Sequence, residues 1–130
     1  MVYQLANPNN NQHLTRYNEI CSRDYSQFDE KLSLHHILSR SKFPELKNDK
    51  QNHAWLPTLI HVEAHYHLWK YNPIFALEFW FPLVYFRKRQ LFDVTPDEYQ
   101  QLKKDLAYCK KLKKDGLFED NYKKIMQISS

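Results

Sequence analysis

Residues 32–71 read LSLHHILSRSKFPELKNDKQNHAWLPTLIHVEAHYHLWKY and hold six of the chain's seven histidines. His61 and His65 stand four apart in a segment, residues 59–71, whose composition favours a helix. Their imidazoles therefore fall one turn apart on one face, which is ligand spacing for a single metal ion. Upstream, Leu32, Leu34 and His36 alternate with Ser33, His35 and Ile37, predicting a short strand over residues 31–37. A regular strand aims His35 and His36 at opposite faces. Both serve one site only if the strand ends near His36 and the chain swings into a loop over residues 39–52. Ser39, Ser41, Pro44, Asn48, Asp49 and Asn52 are turn formers that permit this.

In this order the residues resemble the HNH endonucleases, above all the small phage-type members. The motif stands here as His35-His36-Ile37-Leu38, the run SKFPEL at 41–46, Asn52, an apolar strand over 54–59, and His61-Val62-Glu63-Ala64-His65. It spans residues 32–71 and weakens on the flanks. Ser39 stands where many relatives carry proline, which loosens the turn after the histidine pair. The resemblance implies an α+β, mainly helical fold around a ββα-metal core, two short antiparallel strands and a helix about one divalent cation, with flanking helices. It implies that His35, His61 and His65 hold the metal and that His36 is the general base. Asn52 would tie the loop backbone so that His36 is held towards the attacking water. The implied ion is magnesium, with zinc, manganese or nickel as alternatives. The implied partner is DNA, cut in one step to 5′-phosphate and 3′-hydroxyl ends, and the implied source is a phage or mobile element, hence a bacterial cytoplasm.

The chemistry of the residue types agrees with these roles. Phosphodiester hydrolysis needs a water deprotonated near neutral pH, and imidazole, with an ordinary pKa near 6.5, suits that task. A cation with open positions stabilises the phosphate and the departing oxygen together. Three neutral imidazoles leave an ion its charge and leave room for substrate, whereas a closed four-ligand site does neither. His53 and His67 receive no metal role, because His67 lies off the face shared by His61 and His65. The competing expectation is a non-catalytic HNH-like module that keeps the scaffold around a structural zinc and docks on nucleic acid or a nucleoprotein through its lysines.

Composition narrows the rest. The 130 residues suit one domain, divided here into a lead-in (1–13), a helix plus metal core (14–71) and a helical extension (72–130). One glycine, Gly116, excludes Walker loops and dinucleotide fingerprints, which need several. Cys21 and Cys109 form no CxxC pair, so no zinc ribbon is present, and two isolated thiols suit a reducing compartment. MVYQLANPNNNQ carries no signal-like pattern, and the apolar run 74–86 is too short to cross a bilayer.

The net charge of +4 is concentrated beyond Gln101, where eight lysines face four acids, a footprint that suits a polyanion. Arg40 and Lys42 beside the motif and the cluster Arg87-Lys88-Arg89 are the candidate nucleic-acid contacts, with Arg16 and Arg23 as weaker ones. A helix is expected over 15–26, capped by Thr15. The run 74–86 reads as a core helix interrupted near Pro82, its aromatics buried rather than free to stack bases. Thr95-Pro96-Asp97-Glu98 opens a helix through a capping box that stops at Gly116, and a short amphipathic helix follows over 117–128.

Overall fold

Among residues 1–129, which the computed structural model describes, five α-helices and a two-stranded sheet follow in the order α1 (Gln12–Ser22), β1 (Ser33–His36), β2 (His53–Leu56), α2 (Thr58–Tyr71), α3 (Ala76–Lys88), α4 (Pro96–Lys114) and α5 (Phe118–Ile125). The chain is mainly helical, and its sheet is antiparallel, pairing Ser33 with Leu56, Leu34 with Trp55, His35 with Ala54 and His36 with His53. The period-two side-chain rule then places His35 and Ala54 on one face and His36 and His53 on the other.

Both strands are shorter than the residue pattern predicts. Pro57 cannot extend the β2 ladder, so the helix starts at Thr58 and takes Leu59, which the sequence reading places at the join of strand and helix. The loop between the strands is pinned by the fully buried Asn52. Its Oδ1 accepts from Leu38 N at 2.7 Å, and its Nδ2 donates to Leu38 O at 2.9 Å and to Leu46 O at 3.3 Å. Removing that amide would strand buried backbone groups at about 1–3 kcal/mol each.

The first helix begins earlier than expected, for a local reason. Asn11 is the N-cap, accepting from His13 N and Leu14 N, whereas Thr15 lies inside the first turn with its hydroxyl bonded to Asn11 O. The lead-in is docked rather than loose. Leu5 is buried and bridges Ile128, Tyr3 N–H donates to Gln51 O at 2.7 Å, and Ala6 N–H donates to Gln127 O at 2.7 Å.

The third helix runs through Pro82 to Lys88, and its aromatics divide. Phe79 is buried and stacks on Trp69 with centroids 5.5 Å apart, whereas Phe81 and Tyr85 are 67% and 52% exposed. A helix this apolar all round needs protein on every side, and here it has neighbours on only part of its circumference. The fourth helix follows its signals, with both capping-box bonds at Thr95 and Glu98 and a left-handed Gly116 (φ 73°) after its end. Its Leu102, Cys109 and Leu112 are buried. No helix among the described residues is long and apolar enough to cross a membrane.

Candidate metal centre

The strand pair delivers His35 from its inner face, and the first two turns of α2 deliver His61 and His65. Each offers a ring nitrogen within 4.8 Å of the other two, and the ring centroids lie 5.0–5.1 Å apart. The shortest approach is His35 Nδ1 to His61 Nε2, 3.2 Å. Metal–nitrogen bonds of about 2.0–2.1 Å separate two ligands by roughly 3.4 Å on a tetrahedral ion and roughly 3.0 Å on an octahedral one. The observed spacing falls between these, so a divalent ion fits without rearrangement of that pair.

The outer nitrogens are held by oxygen. Tyr17 Oη lies 2.6 Å from His35 Nε2, and Ser33 Oγ lies 2.8 Å from His61 Nδ1. The Ser33 hydroxyl itself donates to Leu56 O at 3.2 Å, so Ser33 Oγ accepts from His61 Nδ1–H and leaves Nε2 as a lone pair turned towards His35. Oxygen acceptors behind metal-ligating imidazoles fix tautomer and ring angle in this way. His65 Nδ1 is buried with no hydrogen-bond partner among the described residues.

Burial and mutual repulsion keep all three rings neutral. Burial, then His65 and His61, hold His35 well below the ordinary imidazole value; burial lowers His61; and burial, with His61 behind it, pushes His65 down to about 3. Neutral rings are the ligating form.

The same shifts set a pH dependence of stability. In the unfolded chain each histidine takes a proton as the pH falls through about 6.5, whereas in the fold His35 and His65 resist until far lower pH and His61 is lowered by burial. The unfolded state therefore binds more protons below 6.5, and stability falls with falling pH, by up to about 1.4 kcal/mol per pH unit for each strongly shifted ring. The loss from His65 continues until its folded value near 3. In chelator-treated buffer, Tm is expected to drop between pH 6.5 and 4.5, above the usual carboxylate range; a flat Tm across that window would refute the account.

His36 is not drawn into the triad. Its ring faces His53, with centroids 5.1 Å apart, and both rings donate to Lys47 O, from His36 Nε2 at 3.0 Å and His53 Nε2 at 2.8 Å. The strand ends at His36, as expected, but stays regular up to it, so adjacent histidines part to opposite faces. A carbonyl only accepts, which makes Nε2 the protonated nitrogen of His36 and leaves Nδ1 as a lone pair. Asn52 stands behind this arrangement, since the Leu46 carbonyl it binds is next to the Lys47 carbonyl that orients His36.

The basic residues differ in their freedom. Lys42 Nζ is paired with Glu119 at 2.6 Å and lies over Phe118, so it is engaged within the protein. Arg40 is exposed. Arg87 pairs with Asp93 at 3.1 Å and lies over Tyr99, Arg89 covers Tyr85, and Lys88 borders the same groove as Trp80 and Tyr99.

Three residues at the centre were not singled out by spacing. Tyr17 and Ser33 hold the imidazoles. Glu78, which in sequence only interrupts an apolar run, lines a cleft of about 240 Å³ with Ser33, Thr58, His61, His65, Pro82 and Phe86. His67 meets His13 of α1, with Nδ1 atoms 2.9 Å apart, and plays no part in the triad. Comparison of the chain with family models, with curated proteins and with solved structures finds no match in any of the three.

Proposed function

We propose that this chain is a metal-dependent DNA endonuclease of the HNH type, in which β1, β2 and α2 form a ββα-metal unit. The observation that carries the reading is the convergence of His35, His61 and His65 on one point, with His65 Nδ1 unsatisfied and the outer nitrogens of His35 and His61 braced. When bound, a divalent ion would supply Lewis-acid stabilisation of the phosphate and of the leaving oxygen. The chain's own residues do the remainder. His35, His61 and His65 offer three neutral nitrogens, and the cleft between α2 and α3 gives access to two of them. His36, with Nε2–H spent on Lys47 O, has the Nδ1 lone pair a general base needs. Asn52 holds the loop that carries that carbonyl. Arg40, Lys88 and the lysines of α4 supply positive charge for the DNA backbone.

An all-imidazole donor set suits zinc, nickel or manganese at least as well as magnesium, which prefers oxygen ligands. A second reading, a binding module with a structural ion, is favoured by the position of His36 against His53 rather than in the triad. Supercoiled plasmid incubated with Mg²⁺, Mn²⁺, Zn²⁺ or Ni²⁺, with and without chelator, separates the two. Nicking or linearisation abolished by chelator is the expected result. No cleavage with any ion, alongside DNA binding that weakens steeply with salt, would select the module.

A further inference from the structure

We infer that Glu78 is the outer carboxylate partner of the ion held by the histidine triad, an inference that rests on the metal-centre reading above. The carboxylate enters from α3, a different element from those bearing the three imidazoles, and lines the cleft that His61 and His65 also line.

Three observations converge on this role. The first is charge. Three neutral imidazoles bring no negative charge to a dication, and around them the cleft wall is Val62, Pro82 and Phe86 apart from Ser33 and Thr58; Glu78 is the acid within it. The second is that Glu78 has no ion-pair partner among the described residues. No lysine, arginine or histidine among the described residues lies within ion-pair distance of it, and Lys42, the cation that bears on it from farther off, is bonded to Glu119. A half-buried carboxylate without a cation is poorly compensated by one phenolic hydrogen bond, and acids drawn out of water are found paired or at metals.

The third observation is orientation. Tyr122 Oη donates to Glu78 Oε2 at 2.5 Å, which anchors one carboxylate oxygen, and no hydrogen bond reaches Oε1 from any described residue. Tyr122 is itself fully buried against Phe75, so the contact is a rigid brace. A glutamate whose sole task was to satisfy Tyr122 could be a glutamine or a backbone carbonyl at lower cost. A glutamate braced on one oxygen beside a cation site would complete that site instead: its charge would offset part of the dication's, and the free Oε1 would be open to the ion's solvent. The metal ligands lack the acid that many divalent sites include, and Glu78 supplies it from the second layer, with Tyr122 as the positioning residue.

The test is Zn²⁺ affinity, by calorimetry or chelator competition, set beside the Tm of the metal-free protein. Glu78→Gln keeps an oxygen for Tyr122 and removes the charge. Its metal-free Tm is expected to match or exceed wild type, while Zn²⁺ binds 10- to 100-fold more weakly, the usual loss for an outer partner. Tyr122→Phe should weaken Zn²⁺ binding by a smaller factor, and Glu78→Ala serves as a second probe should the glutamine variant fail to fold. Wild-type affinity in either folded Glu78 variant, with affinity lost in His61→Ala, overturns the role of Glu78 and leaves the triad standing. Equal Zn²⁺ uptake by wild type and His61→Ala, or none by wild type, overturns both.

Discussion

His61→Ala and His65→Ala are each expected to cost the protein its metal, with Zn²⁺ affinity down by on the order of 10²–10³-fold. The size follows from sharing the roughly 10–16 kcal/mol of a four-ligand zinc site among its ligands, which gives about 2.5–4 kcal/mol for one imidazole. Cleavage should fall below detection in the same variants, and the rise in Tm on adding metal should vanish, a rise worth about 2.7 kcal/mol in wild type at a hundredfold excess over Kd. These two residues are cleaner probes than His35. His35 is buried and holds the Tyr17 hydroxyl at 2.6 Å, so its truncation orphans a buried phenol and destabilises the fold whatever the metal does. His61 lies at the cleft with an exposed edge, and His65 has an unpartnered Nδ1, so the hydrogen bonds lost are those of His61 to Ser33 and His35. Retained Zn²⁺ binding in both variants would show that the three rings do not share an ion.

What could be read from the residues alone follows the range of the forces involved. The pairing of His61 with His65 is a consequence of helical pitch, and the opening and stop of α4 are consequences of a capping box and one glycine; all three are local and all were legible. The start of α1 was misjudged between two side chains that both suit a cap. Asn11 takes it because Asn7 fixes the preceding turn, with Asn7 Oδ1 accepting from Asn11 N at 2.8 Å. Docking of the lead-in depends on a bridge from Leu5 to Ile128, across nearly the whole chain, which no local pattern announces. The aromatics of α3 looked uniformly buried because periodicity cannot tell which side of an apolar helix will lack a neighbour. The triad shows the same division: ligand types and spacing were visible, whereas the bracing by Tyr17 and Ser33 and the approach of Glu78 from α3 come only with tertiary packing.

His36→Ala is expected to leave Zn²⁺ affinity unchanged and to slow cleavage by roughly 10²–10⁴, the scale of a lost general base and equal to about 2.7–5.4 kcal/mol of barrier. Unchanged affinity follows from the strand geometry, since His36 faces His53 and Lys47 O and contributes no nitrogen to the triad. The loss in rate follows from the tautomer, because Lys47 O accepts from Nε2–H and the remaining Nδ1 lone pair has no partner among the described residues. His53→Ala is the matched control. It removes the second ring on the same carbonyl, from a residue with no assigned chemistry, and should cut at close to the wild-type rate. The geometry makes this pair of variants decisive about which face of β1 the substrate meets. For His36 to act on a phosphate at the triad, the backbone of the DNA has to pass the end of the strand, where the side chains of His35 and His36 diverge but their backbones are adjacent. If His36→Ala cuts like wild type, the histidine pair on the outer face serves the loop rather than the reaction.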